Sequence, residues 1–589
     1  MYSAPATPDK DRFTHLPHNP IPLATSLDQV YTPTSLATQG QRWDELARSF
    51  ERDYGVKPQK VTRAPGRVNI IGDHIDYCGF SVLPAAVERD VLIAYSTSPS
   101  STDNLPKPSQ AGRTVVVLRN VDEKYTDTHF EVDVYSSGSQ LSLPQDHHWS
   151  SYFIAGTKGI LKHMHDHPAK RQSKQAPELL LVKVWGTVPE GSGLSSSSAM
   201  TTASAITMLE VVGRREGLDM VARRAVTEVA IESERLVGVN SGGMDQTASV
   251  FSKPLHLLDF VPKLQAHAIP LPETNPRISF VIANTLVTSN KKLTAKFCYN
   301  LRASLERVVK VVETRLAALL LHKALNLPSR TAHSPPLDLQ MVLAMYFATP
   351  PQQHGPLRKG TELPTQSPPD ISTAPAHPSS PLPPSAATKI HELKTMLHLA
   401  GKELGGPGME DGMTWEEVAS KLDRDLKELQ DEVVGEQEVE PIGGKLRIWS
   451  RARHVFSEAL RVHEFCDLLK TATSGDGTTL DSSEVLQQLG DLMNASMESS
   501  QKDADCSCPE LDEMTALARK SGAYGSRITG AGWGGATVSL VPEPKVKDFI
   551  QAIRQGYFAK KFPDLTEEQM EDACFATKPE AGAGIYVFE

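Results

Sequence analysis

Short apolar runs of β-strand length alternate with long helical stretches along most of the chain, and this mixture restricts the possible folds more than any other feature. Runs rich in Val, Leu and Ile predict buried strands, and apolar periodicity between them predicts helices. The predicted strands are 91–94, 114–118, 179–184, 278–283 and 536–541. The predicted helices are 198–212, 220–236 and 299–325. Strands mixed with long helices indicate an α/β or α+β architecture.

Composition divides the 589 residues into segments that are predicted to fold and segments that are predicted to be flexible. This length suggests two or three domains. Residues 1–40 are rich in Pro, Thr and Ser, which predicts a flexible N-terminal arm. Pro, Ser, Thr and Ala dominate again at about 328–388, where we expect a disordered insertion. Helical order should resume at 389–400 and continue through 415–434, with apolar core positions at heptad-like spacing.

The charge balance argues against nucleic acid or membrane as a partner. The chain carries 61 basic and 71 acidic side chains, and its formal net charge of -10 provides no basic surface for an anionic polymer or lipid. No apolar stretch approaches the ~20 residues of a membrane span, and the N-terminus lacks the apolar region of a signal peptide. We therefore expect a cytoplasmic protein with small-molecule partners.

One stretch, residues 63–84, reads RAPGRVNIIGDHIDYCGFSVLP. Its apolar run beside Gly72 predicts a buried strand that ends in a turn, which would deliver Asp73, His74 and Asp76 to a cleft. Carboxylates and an imidazole held there could bond to the hydroxyls of a sugar. The alternative is an ordinary polar loop, since HxD pairs are common by chance.

A second stretch, VPEGSGLSSSSAM at 188–200, follows a predicted strand and leads into a predicted helix. Gly191 and Gly193 would let backbone N–H groups approach an anion, and the helix N-terminus adds a positive dipole end. The serines offer hydroxyl donors and one plausible Mg²⁺ ligand. The motif is not a Walker A sequence. We interpret it as a phosphate-binding loop; the alternative is a flexible Gly/Ser turn.

A third stretch, GVNSGGMDQT at 238–247, places Asp245 after a Gly-Gly turn. A carboxylate there could accept a proton from an attacking hydroxyl or orient it, while an arginine lowers the carboxylate pKa and offsets transition-state charge. Arg67 is the natural candidate. Alone, the motif is weak evidence, since Asp after Gly most often belongs to an Asx-turn or a helix cap.

The glycines of GAGWGG at 530–535 match the GxGxxG pattern of dinucleotide-binding sites. A strand-like run follows them instead of the helix that such a site requires, so a Rossmann interpretation is poor. A better explanation is that these glycines, which lack side chains, let the backbone of another loop approach closely.

Together these motifs resemble those of the GHMP small-molecule kinase family, and most of all its fungal galactokinase members. PGRVNIIGDHIDY resembles the sugar-binding signature, VPEGSGLSSSSA the phosphate loop, GGMDQ the catalytic Asp motif and RITGAGWGG the third, glycine-rich motif. SNKKLTAKFCYNLR at 289–302 is similar to the segment that supplies a sugar-contacting tyrosine. The resemblance covers about 40–325 and 385–589, in the family's motif order.

The resemblance implies an α+β, two-domain GHMP kinase fold with the active site between the domains. An N-terminal domain like the ribosomal S5 domain 2 would span 41–290, and a ferredoxin-like C-terminal domain would span 291–589. The implied reaction transfers the γ-phosphoryl group of ATP to O1 of α-D-galactose, with Mg²⁺ as cofactor.

The resemblance also assigns roles to individual residues. The catalytic pair would be Asp245 and Arg67. The sugar would be bound by Arg67, Asp73, His74, Asp76, Gly242, Asp245 and Tyr299. ATP would be held by Gly191, Gly193, Ser195, Ser196 and Ser197, with Trp149 and Tyr152 lining the adenine pocket. Mg²⁺ would be bound by Ser197 and Glu234.

Two alternatives stay open. Some fungal relatives are galactose- and ATP-dependent transcriptional co-inducers that bind a repressor, and a protein of this type can be bifunctional; the full-length serine loop here favours catalysis. Asp73 stands where the family signature usually has Glu, which shortens the side chain by one bond, ~1.5 Å. A kinase for N-acetylgalactosamine or arabinose is therefore the second alternative. Relatives are frequently monomeric, so we expect a monomer.

Overall fold

A computed structural model of the protein describes residues 16, 19–33, 35–97, 105–144, 148–166, 176–213, 222–237, 242–251, 255–261, 263–287, 300–330, 336–349, 386–406, 409, 411–434, 442–473 and 483–588. Tyr299, residues 1–15 of the predicted arm and residues 351–385 of the predicted insertion lie outside the described residues.

Strands and helices both recur along the described residues, as the apolar pattern predicts. The strands are β1 (Leu23–Ala24), β2 (Lys60–Ile71), β3 (Leu83–Ser96), β4 (Thr114–Asn120), β5 (Thr128–Val132), β6 (Leu179–Gly186), β7 (Leu255–Asp259), β8 (Gln265–Ile269), β9 (Ile278–Asn284), β10 (Gly525–Thr529), β11 (Ala536–Pro542), β12 (Cys574–Thr577) and β13 (Gly584–Val587). All five predicted strands fall inside members of this set.

Helices account for much of the rest of the described residues. They are α1 (Leu36–Tyr54), α2 (Ser150–Asp166), α3 (Ser196–Gly213), α4 (Arg223–Leu236), α5 (Met244–Phe251), α6 (Asn300–Ala324), α7 (Leu339–Ala348), α8 (Ala386–Leu404), α9 (Trp415–Leu422), α10 (Leu426–Val434), α11 (Ile448–Thr473), α12 (Ser483–Lys502), α13 (Pro509–Lys520), α14 (Val546–Ile553), α15 (Ala559–Lys561) and α16 (Glu567–Ala573). Among the described residues, none of these helices is long and apolar enough to cross a membrane.

The described strands form three sheets, of which the two larger ones organise the fold, while β7 and β8 form a separate antiparallel pair. A seven-stranded sheet has the order β1-β13-β2-β3-β6-β4-β5, and a four-stranded antiparallel sheet has the order β10-β11-β9-β12. Strand β9 thus pairs with strands from the C-terminal part of the chain, while β13 returns to the first sheet beside β2. Strand β9, which begins at Ile278, therefore belongs to the second sheet, and the domain boundary at 290 stays a prediction.

The apolar helix α3 packs against the first sheet through β2 and β3 and is flanked by α2 and α4. Small side chains such as Ala199 and Ala203 are fully buried along it, and Ile206 is too. Small residues let a helix lie close to a sheet and to neighbouring helices. This burial fixes the N-terminal end of α3, where the phosphate loop enters.

The segment 415–434, predicted to be continuously helical, forms two helices. The chain breaks at Asp423, whose φ is +53°, a left-handed conformation that Asp tolerates better than most residues. Val418 and Leu429 are buried, so the prediction that the spaced apolar residues are core positions is confirmed.

Part of the segment 1–40, for which we predicted a flexible arm, is docked on the first sheet. Strand β1 pairs with β13, and the Tyr31 hydroxyl donates to Asp90 Oδ2 at 2.6 Å. The fully buried Asp90 carboxylate also accepts hydrogen bonds from Arg42 and Arg63. Although burial opposes its ionisation, these two guanidinium groups hold the pKa of Asp90 below its usual range. Asp90 therefore connects the docked segment, α1 and β2.

Replacing Asp90 tests how much this buried charge cluster contributes. Asp90→Ala leaves two buried guanidinium groups without their anion, so we expect the free energy of unfolding to fall by about 3–5 kcal/mol in a denaturant titration. The matched control is Asp572→Ala, which removes a half-exposed carboxylate paired with Arg89 and should cost less than about 1 kcal/mol. Equal losses in the two variants would contradict this account.

Candidate active site

Strand β2 ends at Ile71, and the chain then turns sharply through the segment 72–76, which we call the sugar loop. Gly72 has φ +109° and His74 has φ +58°, and Asp76 begins a short 3₁₀ turn. A Cβ atom on Gly72 would lie 3.0 Å from Val462 on α11, so glycine is needed for the close approach as well as for the turn. The predicted strand that ends in a turn is confirmed.

Arg67 and Asp245 form an ion pair at the centre of the candidate site. Arg67 points from β2, and its Nε donates to Asp245 Oδ1 at 2.8 Å. A second nitrogen of the same guanidinium donates to the Gly193 carbonyl in the phosphate loop. Asp245 lies in the first turn of α5, where the helix dipole favours a carboxylate. Three segments that are distant in sequence therefore meet at one arginine.

Ser195 holds the other oxygen of the same carboxylate. Its hydroxyl donates to Asp245 Oδ2 at 2.6 Å, and its φ of +59° turns the backbone immediately before α3. We predicted a phosphate contact for Ser195, and the structure places this hydroxyl on the carboxylate. With one donor on each oxygen, the plane of the Asp245 carboxylate is fixed.

The phosphate loop packs against the glycine-rich loop 530–535. A Cβ atom on Gly193 would lie 2.8 Å from the Thr529 carbonyl, and one on Gly530 would lie 2.8 Å from the Gly193 carbonyl. Both glycines have positive φ, as does Gly191. The prediction that the glycines of 530–535 admit another loop at close range is confirmed. This contact joins the second sheet to the N-terminal end of α3.

Glu234 is a buried carboxylate surrounded by hydroxyl and amide donors. Ser197 and Ser198, in the first turn of α3, donate to it at 2.8 and 3.1 Å, and Gln246 of α5 donates a third bond. Burial, and then the nearby charge of Asp245, raise the pKa of Glu234 to about 7. Ser197 and Glu234, both predicted to bind a metal, are therefore in direct contact.

Several residues predicted to bind the sugar lie along the loop. A Cβ atom on Gly242 would lie 3.0 Å from Asp76 Oδ2, so these two predicted positions are adjacent. The His74 ring nitrogen Nε2 is 2.9 Å from the Ala531 carbonyl, and its ring meets that of Trp533 edge-on, 5.8 Å between centroids. The sugar loop is thus in contact with the glycine-rich loop.

The Asp73 side chain is buried, with only 3 % of its surface exposed, whereas His74 and Asp76 of the same loop are partly exposed. Asn69 donates to Oδ1 at 2.6 Å and Arg527 donates to Oδ2 at 2.9 Å. Burial raises the pKa of Asp73 to about 6, against the lowering effect of Arg527. Sequence reasoning missed Arg527, although it begins the RITGAGWGG motif. It also missed Glu458, which had no local signal on its helix.

The two aromatic residues predicted for the adenine pocket lie where α2 begins. The Trp149 indole donates to the Thr126 carbonyl at 3.0 Å, and its ring lies 5.9 Å from that of Tyr125. Burial and then the Glu234 carboxylate raise the pKa of Tyr152. Tyr152 is therefore within electrostatic range of the Ser197–Glu234 contact.

Within the part of the chain that the structure describes, no group of three or more His, Cys, Asp or Glu side chains is arranged to hold a metal ion.

Three family models match this chain. The galactokinase galactose-binding signature matches residues 48–97, which include the sugar loop and Arg67. The GHMP kinases N terminal domain matches residues 157–253, which include the phosphate loop and Asp245. The GHMP kinases C terminal model matches residues 482–559, which include the glycine-rich loop.

Two relatives that match this chain over almost their whole length are both galactokinases. The chain is 34% identical to the galactokinase of Saccharomyces cerevisiae, over 93% of this chain and 95% of the relative. The chain belongs to the galactokinase family. It is also 33% identical to the galactokinase of Dictyostelium discoideum, over 96% of this chain and 97% of that one.

A solved structure supports the fold. The galactokinase of Lactococcus lactis, solved in complex with galactose, matches 92% of this chain and 99% of its own, with a TM-score of 0.54 and 19% identity. The architecture is therefore the α+β GHMP kinase fold with N- and C-terminal domains, as the galactokinase resemblance predicted.

The close approach of the two loops can be tested with two glycines that share a positive φ. Gly530→Ala places a Cβ atom against the Gly193 carbonyl, whereas Gly112→Ala, at φ +88°, has no atom within 4 Å of its new Cβ. Both variants should lose roughly 1–3 kcal/mol of stability from backbone strain. We expect Gly530→Ala alone to lower kcat/KM for ATP, by about 10-fold or more, because the phosphate loop must shift. Equal kinetics in both variants would contradict the contact.

Proposed function

We propose that this protein transfers the γ-phosphoryl group of ATP to O1 of α-D-galactose, which gives galactose 1-phosphate and ADP. Membership of the galactokinase family makes the chain an ATP-dependent sugar kinase that acts on galactose. The observation that carries the mechanism is the Asp245 carboxylate, held by Arg67 and Ser195 beside the phosphate loop.

We assign Asp245 the role of accepting the proton of the sugar hydroxyl, or of orienting that hydroxyl for attack. Each carboxylate oxygen has one protein donor and keeps a further lone pair for substrate. Arg67 offers positive charge where the transferred phosphoryl group accumulates negative charge. Phosphoryl transfer depends mainly on positioning and charge stabilisation, and this pair supplies both.

The ATP phosphates would lie against the phosphate loop. Gly191 and Gly193 keep side chains out of the way of its backbone N–H groups, and α3, which begins at Ser196, presents its N-terminal end. We propose that Ser196 adds a hydroxyl donor for the phosphates, whereas the Ser195 hydroxyl acts indirectly by holding the Asp245 carboxylate. We also propose that Trp149 and Tyr152 line the adenine pocket.

The surroundings of Ser197 and Glu234 fit Mg²⁺, which prefers oxygen ligands and usually keeps several waters. A hydroxyl and a carboxylate lie 2.8 Å apart there, and a pKa near 7 leaves the carboxylate readily ionised beside a cation. When bound, Mg²⁺ would neutralise negative charge on the ATP phosphates. We propose Ser197 and Glu234 as the protein groups that hold it.

Galactose would lie between Asp245 and the sugar loop. We propose that His74, Asp76 and Gly242 contact its hydroxyls, with Tyr299 contributing from outside the described residues. Asp73 belongs to the same loop, and Asn69 and Arg527 hold its carboxylate. The monomeric state, a repressor partner and a cytoplasmic location stay predictions.

Asp245→Asn is the direct test of the proposed mechanism. The amide cannot accept the proton, so we expect kcat to fall by about 10²–10⁴-fold while the KM for ATP changes little. ADP release with galactose and Mg²⁺, followed by a coupled assay, measures both. The control Asp491→Asn changes an exposed carboxylate that accepts from Gln487 and should behave like the wild type.

The sugar is tested with the same assay on galactose, N-acetylgalactosamine and arabinose. We expect the highest kcat/KM with galactose. A wild type that releases no ADP with galactose, or an active Asp245→Asn variant, would contradict the proposed function.

A further inference from the structure

A buried ion cluster lies directly behind the sugar loop. It consists of Asp73 in the loop, Arg527 on β10 and Glu458 on α11, none of them more than 3 % exposed. Two of its members come from the second sheet and its helices, whereas the loop follows β2 of the first sheet. The cluster is thus a direct link between the two parts of the fold at the sugar-binding position.

Arg527 uses its whole guanidinium group in this cluster. One terminal nitrogen donates to Asp73 Oδ2 at 2.9 Å, and the other lies 3.2 and 3.3 Å from the carbonyls of Asn69 and Ile70. Its Nε donates to Ser496 Oγ at 2.9 Å. The planar fork therefore fixes the last residues of β2 and the first carboxylate of the loop together.

Glu458 holds the turn itself. Its Oε1 accepts the Gly72 backbone N–H at 2.9 Å and the Ser496 hydroxyl at 2.7 Å, and it lies 3.5 Å from Arg527. Although burial opposes its ionisation, Arg461 and Arg527 lower the pKa of Glu458 to about 2. Glu458 is therefore ionised throughout the physiological range and holds Gly72 by a charge-assisted bond.

A second contact with the backbone of the loop comes from His454, one turn earlier on α11. Its Nε2 lies 3.0 Å from the Asp73 carbonyl, and Nδ1 lies 2.9 Å from Ser499 Oγ. Burial lowers the pKa of His454 to about 4, so the ring is neutral. Because a carbonyl only accepts, Nε2 carries the proton and Nδ1 accepts from Ser499. The loop is held by its backbone at both Gly72 and Asp73.

We propose that Arg527 and Glu458 are positioning residues for galactose, which act through Asp73 and Gly72 to set where the sugar loop presents His74 and Asp76. This proposal rests on the proposed function. A buried ion cluster is an inefficient way to gain stability, because desolvation cancels much of the attraction. Here every group in the cluster also bonds to the loop or to the strand end before it, which is what a positioning role requires.

The experiment compares Arg527→Lys with a matched buried pair. Lys cannot span the four acceptors that the Arg527 guanidinium contacts, so we expect kcat/KM for galactose to fall by about 100-fold, mainly through KM for galactose, while KM for ATP stays within about twofold. The control is Arg451→Lys on α11, because Arg451 is also buried but donates to Glu313 at 2.6 Å and to the Asp503 carbonyl instead of to the sugar loop. The control should lower Tm to a similar extent and leave KM for galactose unchanged.

A milder variant guards against misfolding. Ser496→Ala removes one bond to Arg527 and one to Glu458 while keeping all charges, so it should raise KM for galactose in the same direction, by about 10-fold, in a folded protein. Calorimetric titration with galactose should show the same weakening without turnover. Unchanged galactose affinity in both variants, or an equal rise in the KM values of both substrates, would overturn the proposal.

A double-mutant cycle tests the route through Asp73. If Arg527 acts through this carboxylate, Asp73→Asn combined with Arg527→Lys should lower kcat/KM for galactose no more than about twofold beyond the larger single loss. Additive losses would contradict that route. A wild type that binds galactose but does not phosphorylate it would contradict the proposed function alone, since the calorimetric comparison still decides the positioning role.

Discussion

The ion pair between Arg67 and Asp245 is the interaction on which the rest of the site depends. Its two members are 178 residues apart in sequence, and the same guanidinium also holds the Gly193 carbonyl of the phosphate loop. Arg67 thus fixes the positions of strand β2, the phosphate loop and α5 relative to one another. The Ser195 hydroxyl holds the second oxygen of the Asp245 carboxylate. The proposed proton acceptor and the proposed phosphate-binding backbone are consequently held together by the protein itself, which reduces the cost of reaching the transition state.

The second constraint is the contact between the seven-stranded and four-stranded sheets at the proposed substrate site. Gly193 and Gly530 lie back to back without side chains between them, and Arg527 reaches from β10 to the end of β2. Strand β13, at the end of the chain, returns to pair with β2. The strand that carries Arg67 is therefore held on one side by the chain's last strand and at its end by the second sheet.

Much of the fold and part of the site could be predicted from local sequence. Local patterns predicted the strand at 179–184, the helix after it and the turn of the sugar loop. Burial of one face of a strand or helix requires apolar residues at regular positions, and this requirement is visible in the sequence of the element itself. The membership of β9 in the second sheet could not be predicted, since strand pairing is a long-range property. Glu458 was missed for the same reason: its role depends on a contact with Gly72, 386 residues away.

The most direct test of the account is a crystal structure with galactose, a non-hydrolysable ATP analogue and Mg²⁺. The measured quantity is the distance from galactose O1 to the Asp245 carboxylate. We expect hydrogen-bond distance, about 2.6–3.2 Å, with the γ-phosphate analogue facing the same hydroxyl and Arg67 beside it. A sugar whose O1 points away from Asp245, or that lies outside the sugar loop altogether, would contradict the central claim.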